Sequence, residues 1–177
     1  SRGYIDINLA KSLKFSTNIA YDVFNQNSNT YATPNGGDAA NVGGRGYKEF
    51  QRYAALNANQ LLTWSPEFGK SSIVWLLGHE TKHDESQYMF GHMTNFLNAY
   101  NSEFANATMY QELTSNTSEY ALEGYFTRFE YDFDDKYYVS ASYRRDASSR
   151  FAPDVRWGDF WSVGASWRIN QEAFLKD

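Results

Sequence analysis

The sequence contains no cysteine, three prolines and three histidines in 177 residues. Without cysteine, neither a disulfide framework nor a thiolate metal site is possible. No run of about 18 apolar residues occurs, so no segment reads as a membrane-spanning helix. No Lys/Arg run offsets a net charge of −5, which argues against a nucleic-acid partner. Nothing reads as a signal peptide, and the chain begins at Ser1 rather than Met. Aromatic residues are abundant: 14 Tyr, 13 Phe and 5 Trp make up 18% of a chain whose mean hydropathy is only −0.65. Such residues favour strands, and here they alternate with Asn, Ser, Asp and Arg instead of clustering. If this chain enters a membrane, it does so as strands.

The alternation can be followed along the chain. Tyr4 to Leu9 carries it, and then Phe15, Thr17, Ile19, Tyr21 and Val23 oppose Ser16, Asn18, Ala20 and Asp22. From about Tyr53 to Trp64, the residues Leu56, Ala58, Leu62 and Trp64 share one face, with Asn57, Asn59 and Thr63 on the other. Ser71 to about Glu85 puts Ile73, Trp75 and Leu77 on one face. Tyr125, Phe129, Tyr131 and Phe133 oppose Arg128, Glu130 and Asp132; Tyr137, Val139, Ala141 and Tyr143 oppose Ser140, Ser142 and Arg144. Trp161, Val163, Ala165 and Trp167 oppose Ser162, Gly164, Ser166 and Arg168. About seven strands are expected.

Their connections alternate in length. Residues 10–13, 65–70 and 134–136 are short, whereas 25–52, 86–121 and 147–159 are longer and polar. That is the connectivity of an outer-membrane barrel, with tight periplasmic turns and long outer loops. The expected fold is all-β, an antiparallel transmembrane β-barrel to which residues 1–177 contribute as part of one domain. A soluble sandwich shows the same alternation, but loops of about 28 and 36 residues are uncommon in compact soluble domains. On this reading Arg128, Glu130, Asp132, Ser140, Ser142, Arg144, Ser166 and Arg168 face a wet lumen. There they hold a plug, line a solute path, or are simply solvated. Arg145, Asp146, Arg150, Arg156 and Trp157 gather where a strand passes into an outer loop, suited to loop ordering or sugar stacking.

One motif points elsewhere. Residues 76–85 read LLGHETKHDE, in which His79, Glu80 and His83 spell the H-E-x-x-H of zinc peptidases. That chemistry needs a helix, where positions i and i+4 lie one turn apart and can grip one ion. On a strand they lie about 13 Å apart, too far to hold one zinc at about 2.0–2.1 Å. Ile73-Val74-Trp75-Leu76-Leu77 is β-branched and aromatic, which favours the strand. Ser86 and Met89 stand where a metzincin extension needs Gly and His, although Glu103 and Glu112 remain as third carboxylates. The expectation is a chance motif, with no metal, no cofactor and no catalytic residues.

From Gly124 onward the sequence resembles the barrel region of SusC/RagA-type TonB-dependent transporters. The residues that carry the resemblance are Tyr125-Phe126, Arg128, Tyr131, Asp134-Asp135-Lys136-Tyr137, Ser140-Ala141-Ser142, Arg144-Arg145-Asp146, Ser148-Ser149-Arg150-Phe151, Arg156-Trp157-Gly158, Phe160, Trp167-Arg168-Ile169 and Phe174-Leu175-Lys176. Ala147 departs from the family's more usual Gly. Upstream, Phe68-Gly69-Lys70 and Leu76-Leu77-Gly78-His79-Glu80 are similar to the preceding hairpin. The resemblance implies a plugged barrel of about 22 strands, of which this chain supplies about seven. It implies a bacterial outer-membrane transporter that imports glycan or peptide fragments with a SusD-like surface lipoprotein. Coupling to the TonB complex would use parts of the polypeptide absent here. About seven strands leave two edges open to lipid, so the chain is expected to be one segment of a longer protein. The competing expectations are a small stand-alone structural or adhesive barrel and, more remotely, a zinc peptidase built on the HETKH string.

Overall fold

The computed structural model describes residues 1–172 and 174; Leu175 and Lys176 of the family resemblance lie outside the described residues. Strands dominate: β1 (Arg2–Ala10), β2 (Leu13–Ala32), β3 (Arg45–Trp64), the two-residue β4 (Glu67–Phe68), β5 (Ser71–Phe96), β6 (Ala107–Phe133), β7 (Tyr137–Ser148) and β8 (Trp157–Trp167). They form one sheet in the order β1-β2-β3-β5-β6-β7-β8, with β4 paired on β5. The pairs β1–β2, β6–β7 and β7–β8 are antiparallel, β1–β2 with a register shift between Asn8 and Ala10. Among the described residues, helical geometry is confined to short 3-10 turns.

The short connections fall where the alternation breaks. Lys11 and Ser12 join β1 to β2, and residues 134–136 join β6 to β7. At the second of these, Asp134 and Asp135 have φ of 56° and 52°, and the Lys136 N–H donates to the Phe133 carbonyl at 3.0 Å. Two successive left-handed residues closed by that bond make a type I′ turn, whose twist matches that of the flanking strands. Asp tolerates this conformation better than most residues.

The long connections correct the expectation from sequence. Residues 25–52 are not one loop, because β2 continues to Ala32 and β3 begins at Arg45. Residues 86–121 are mostly strand as well, since β5 runs to Phe96 and β6 starts at Ala107. Likewise β7 ends at Ser148 and β8 begins at Trp157, which trims the expected 147–159 connection. Period-2 alternation reports that one face is buried and the other wet. Where the two faces carry similar side chains it fades, while the backbone ladder continues unchanged.

The described residues divide into two compact units. One comprises Ser1–Tyr21, Leu56–His83 and Tyr120–Asp177, and the other Asp22–Ala55 and Asp84–Glu119. In the second unit the connection between β5 and β6 is folded against strands. A Cβ on Gly91 would stand 2.6 Å from the Phe104 ring and one on Gly46 2.7 Å from the Phe96 ring, with Phe104 at 3.3 Å, so the two rings are accommodated because these positions are glycine. Lys48 sits 5.5 Å above the Phe104 ring and ion-pairs with Glu103. Tyr31 packs edge-on against Phe96 at 4.9 Å, and its hydroxyl donates to the Ala99 carbonyl at 3.0 Å. The Asn106 amide donates to the carbonyls of Asn98 and Asn101, both at 2.8 Å, and closes the connection.

Burial is sparse for a chain of this length. Among the described residues, the buried hydrophobic ones are Ala39, Ala54, Ala55, Phe96 and Ala147. Large side chains such as Trp161 and Val163 are 77% and 69% exposed. A single-layer sheet has no second layer to bury its apolar face.

Candidate functional site

Two different surfaces are built by β6, β7 and β8 in the first unit, and the cross-strand register defines them. On one face the rows read Phe126–Arg144–Phe160, Arg128–Ser142–Ser162, Glu130–Ser140–Gly164 and Asp132–Tyr138–Ser166. Seven of the eight polar candidates share this face, because residues two apart on a strand point the same way. The eighth, Arg168, lies just beyond β8 and donates to the Tyr138 hydroxyl at 3.4 Å. Arg128 pairs with Glu130, and the Ser142 and Ser162 hydroxyls meet at 2.8 Å.

The centre of the polar face is a charged hub. Arg144 Nε donates to both carboxylate oxygens of Asp146 at 2.7 Å, and Nη2 pairs with Glu80 on β5. The guanidinium also lies 5.2 Å from the Phe126 ring centre. Two strand glycines make room. A Cβ on Gly124 would stand 2.5 Å from Asp146 Oδ1, and one on Gly78 would coincide with the Phe126 ring. Sequence reasoning missed this pairing of glycine with ring. The signal that could have exposed it is a glycine inside a strand, which often marks close approach of another group.

The opposite face is apolar and bordered by aromatic rows. Its rows include Phe133–Tyr137–Trp167, Tyr131–Val139–Ala165, Phe129–Ala141–Val163 and Thr127–Tyr143–Trp161. At the short-turn end, Phe133, Tyr137 and Trp167 stack in sequence at 6.3 Å spacings. Toward the other end, His79 stacks on Tyr125 at 4.7 Å, Tyr125 lies 6.1 Å from Trp157, and Arg145 covers Trp157 at 5.3 Å. Trp157 and Trp167 are ten residues apart on β8, roughly 33 Å along the strand. The Trp75 indole N–H, turned to this face, is satisfied by the Thr127 hydroxyl at 2.9 Å.

The histidine motif is divided by the pleat. His79 lies on the apolar face, bonded through Nδ1 to Gln60 at 2.7 Å and through Nε2 to Glu123 at 3.4 Å. Glu80 points to the polar face and is held by Arg144. His83 lies four residues further along β5 and is exposed. The carboxylate that a peptidase would use as general base is therefore on the other side of the sheet from His79.

The five loop candidates do not form one cluster. Arg145 covers Trp157 and approaches Asp159 at 3.8 Å on the apolar side, whereas Asp146 serves Arg144 on the polar side. Arg150 lies 5.1 Å over Tyr120, and the Arg156 carbonyl accepts from the Ser148 N–H at 3.3 Å.

Beyond the strands, Lys70 and Asp134 lock two short connections together. Lys70 Nζ lies 2.8 Å from Asp134 Oδ1, and the Asp134 N–H donates to the Lys70 carbonyl at 2.7 Å. The hydrogen bond from Lys70 holds the Asp134 carboxyl below its ordinary range. Glu172 is lowered likewise, first by the Tyr137 hydroxyl at 2.6 Å and then by the Trp167 indole.

Comparison with known proteins agrees with this geometry. No family model matches the chain. Over 176 residues it is 28% identical to the TonB-dependent receptor P39 of Formosa agariphila, covering 98% of this chain and 17% of that protein. Over 67 residues it is 40% identical to the TonB-dependent receptor SusC of Bacteroides thetaiotaomicron, covering 38% of this chain and 7% of that protein. The solved RagAB peptide transporter superposes with a TM-score of 0.88 at 22% identity, over 99% of this chain and 20% of that one. The chain is similar to a barrel segment of the SusC/RagA-type TonB-dependent receptors. It spans about a fifth or less of each relative it matches. Within a SusC/RagA-type barrel wall, a sheet with two unlike faces and little buried core is the expected object. The relatives are receptors and transporters by name, not enzymes.

Proposed function

We propose that this segment is part of the wall of an outer-membrane transporter that imports glycan or peptide fragments. One observation carries the reading: the sheet has an exposed apolar face ending in aromatic rows and an opposite face of ion pairs and hydroxyls. At the 35–45° tilt usual for such barrels, about 33 Å of strand spans roughly 25 Å of bilayer, the height of the apolar band between aromatic girdles. The apolar face then meets lipid, and the polar face meets a water-filled or plugged lumen. Arg128, Glu130, Asp132, Ser140, Ser142, Arg144, Ser166 and Arg168 belong to that lumen, where ion pairs can hold a plug or border a solute path.

RagAB is described as a peptide transporter. By analogy we assign this chain a SusD-like surface lipoprotein as partner, met by its longer connections, and energy from a TonB complex contacting other parts of the polypeptide. The test is the denatured mass of the protein carrying this sequence, purified from outer membrane, followed by solute uptake with and without TonB. The expected mass is several times the 20.4 kDa of this chain, with TonB-dependent uptake. A mass near 20.4 kDa, or uptake indifferent to TonB, overturns the assignment.

A further inference from the structure

The connection from β2 to β3 is pinned near its ends and open between them. Ala39 is buried, and the Gly43 and Gly44 carbonyls accept from the N–H groups of Phe96 and Asn95 at 2.8 and 3.3 Å. Pro34 packs beside Gly44, its Cδ 3.1 Å from where a Cβ there would stand. Between these anchors Asn35 and Gly36 are exposed. A Cβ on Gly36 or Gly37 would meet no atom beyond its chain neighbours within 4 Å. The Asn35 backbone N–H donates to the Thr33 hydroxyl at 3.2 Å, but its carboxamide has no hydrogen-bond partner among the described residues.

Asn35-Gly36 is also the one Asn-Gly pair in the sequence. Asparagines of the β5–β6 connection are tied down. Asn98 Oδ1 accepts from the Tyr100 N–H at 2.9 Å, Asn101 Oδ1 accepts from the Glu103 N–H at 3.0 Å, and the Asn106 amide is doubly engaged. Within β2, Asn18 Nδ2 donates to Asn59 Oδ1 at 3.1 Å. Such bonds must break before a carboxamide can turn onto the following peptide nitrogen. Asn35 carries no such restraint.

We propose that Asn35 is a self-modification site, where the chain converts its own carboxamide to a carboxylate without an enzyme. The Gly36 peptide nitrogen gives its proton to solvent base and attacks Asn35 Cγ. The new C–N bond closes a five-membered succinimide, the bond from Cγ to the side-chain nitrogen breaks, and ammonia leaves. Water then opens the ring. Opening at Cγ leaves aspartate; opening at the backbone carbonyl leaves an isoaspartyl link, with the chain running through Cγ. One water is consumed, one ammonia is released, and nothing is oxidised or reduced. Asparagine is a thermolabile residue, and glycine after it has no Cβ to crowd the ring. The new carboxyl is ionised at neutral pH and lies three residues before Asp38, which pairs with Arg45 at 3.0 Å. This chemistry is independent of solute transport.

The test uses the full polypeptide carrying this sequence, purified in detergent and held at physiological temperature at neutral and at mildly alkaline pH. Tryptic cleavage after Lys14 and Arg45 gives one peptide carrying Asn35 together with Asn18, Asn25, Asn27, Asn29 and Asn41 as internal standards. Sequencing by mass spectrometry locates the amide-to-acid change, and enzymatic isoaspartate methylation counts the isoaspartyl product. Asn35 should convert at least tenfold faster than the other five, faster still at the higher pH, and to both products. Gly36→Ala should slow it tenfold or more, and Asn35→Gln, whose ring would need six members, should abolish it on that timescale. Gly36 has φ 166°, extended backbone open to alanine, and the added methyl meets nothing, so slowing would not reflect misfolding. A synthetic peptide of residues 31–40 should react within a few-fold of the folded protein. Conversion spread evenly over the six asparagines or aspartate as the sole product would overturn the proposal. So would a rate unmoved by Gly36→Ala, or a folded protein tenfold slower than the peptide.

Discussion

Replacing Gly78 by Ala should be destabilising for one reason only, the Phe126 ring. Gly78 lies inside β5 without a positive φ, so alanine meets no backbone strain there. In such a position Gly→Ala stabilises by about 0.4–1 kcal/mol, through the unfolded chain. The new methyl, however, would occupy the space of the ring edge on β6. Overpacking of this kind costs about 1–3 kcal/mol. The net expectation in the full polypeptide is a loss of about 1.3 kcal/mol, within the roughly 0–2.6 kcal/mol spanned by the difference of those two ranges. With Phe126→Ala already present, nothing fills the space, and Gly78→Ala should change sign to a gain of about 0.4–1 kcal/mol. The assay is reversible urea unfolding of the four proteins of the cycle in detergent or lipid, read by tryptophan fluorescence. Equal effects of Gly78→Ala with and without the ring would refute the reasoning, since the two sites would then be uncoupled.

Three further outcomes are expected. Val163→Arg on the apolar face should cost about 2–4 kcal/mol if that face meets the bilayer near its midplane, whereas Ser162→Arg on the other face should be nearly neutral; equal penalties in lipid vesicles would contradict the two-faced assignment. Asp134 is held below its ordinary range by Lys70. A depressed folded-state value contributes stability above the unfolded pKa of about 4 and loses it as pH falls through the folded value. The stability difference between the wild type and Asp134→Asn should therefore be constant near neutrality and vanish at acidic pH, and a pH-independent difference would count against the clamp. Asn106→Ala removes two amide donations to the Asn98 and Asn101 carbonyls. At about 1 kcal/mol per bond, amide exchange across residues 97–106 should accelerate more than tenfold, and unchanged protection would show that the clip is dispensable.

Much of the wall was legible because one physical rule wrote it. From Leu122 to Trp167 each strand has one apolar and one polar face, so the alternation of Tyr125, Phe129, Tyr131 and Phe133 against Arg128, Glu130 and Asp132 survives into the register. The 134–136 turn was visible for the same reason, as a break between two alternating runs. Residues 25–32 were not legible as a strand because Asn, Gln, Ser and Thr occupy both faces, and 86–96 because large apolar side chains do, Tyr88 and Phe90 on one face and Met89 and Met93 on the other. The hub of Glu80, Arg144 and Asp146 was half visible. Arg144 read as polar-face, but its partner lies 64 residues away and only the sheet order brings it near. The Asn18–Asn59 pair escaped notice because single amides on a wet face look like solvation.

The Phe96 and Phe104 rings, seated over Gly46 and Gly91 respectively, act as a key for alignment. Sliding a strand by one residue turns all its side chains over. In an apolar-faced strand burial penalises that error, but in the polar strands of the second unit it does so only weakly. There the penalty comes from shape. A slip of one on β3 would present Arg45 or Tyr47 beneath the Phe96 ring, and a slip of one on β5 would present Phe90 or His92 beneath the Phe104 ring. Only the native alignment places two residues without side chains together. A pair of glycines and two phenylalanines can thus specify the register of strands that hydrophobicity leaves undecided.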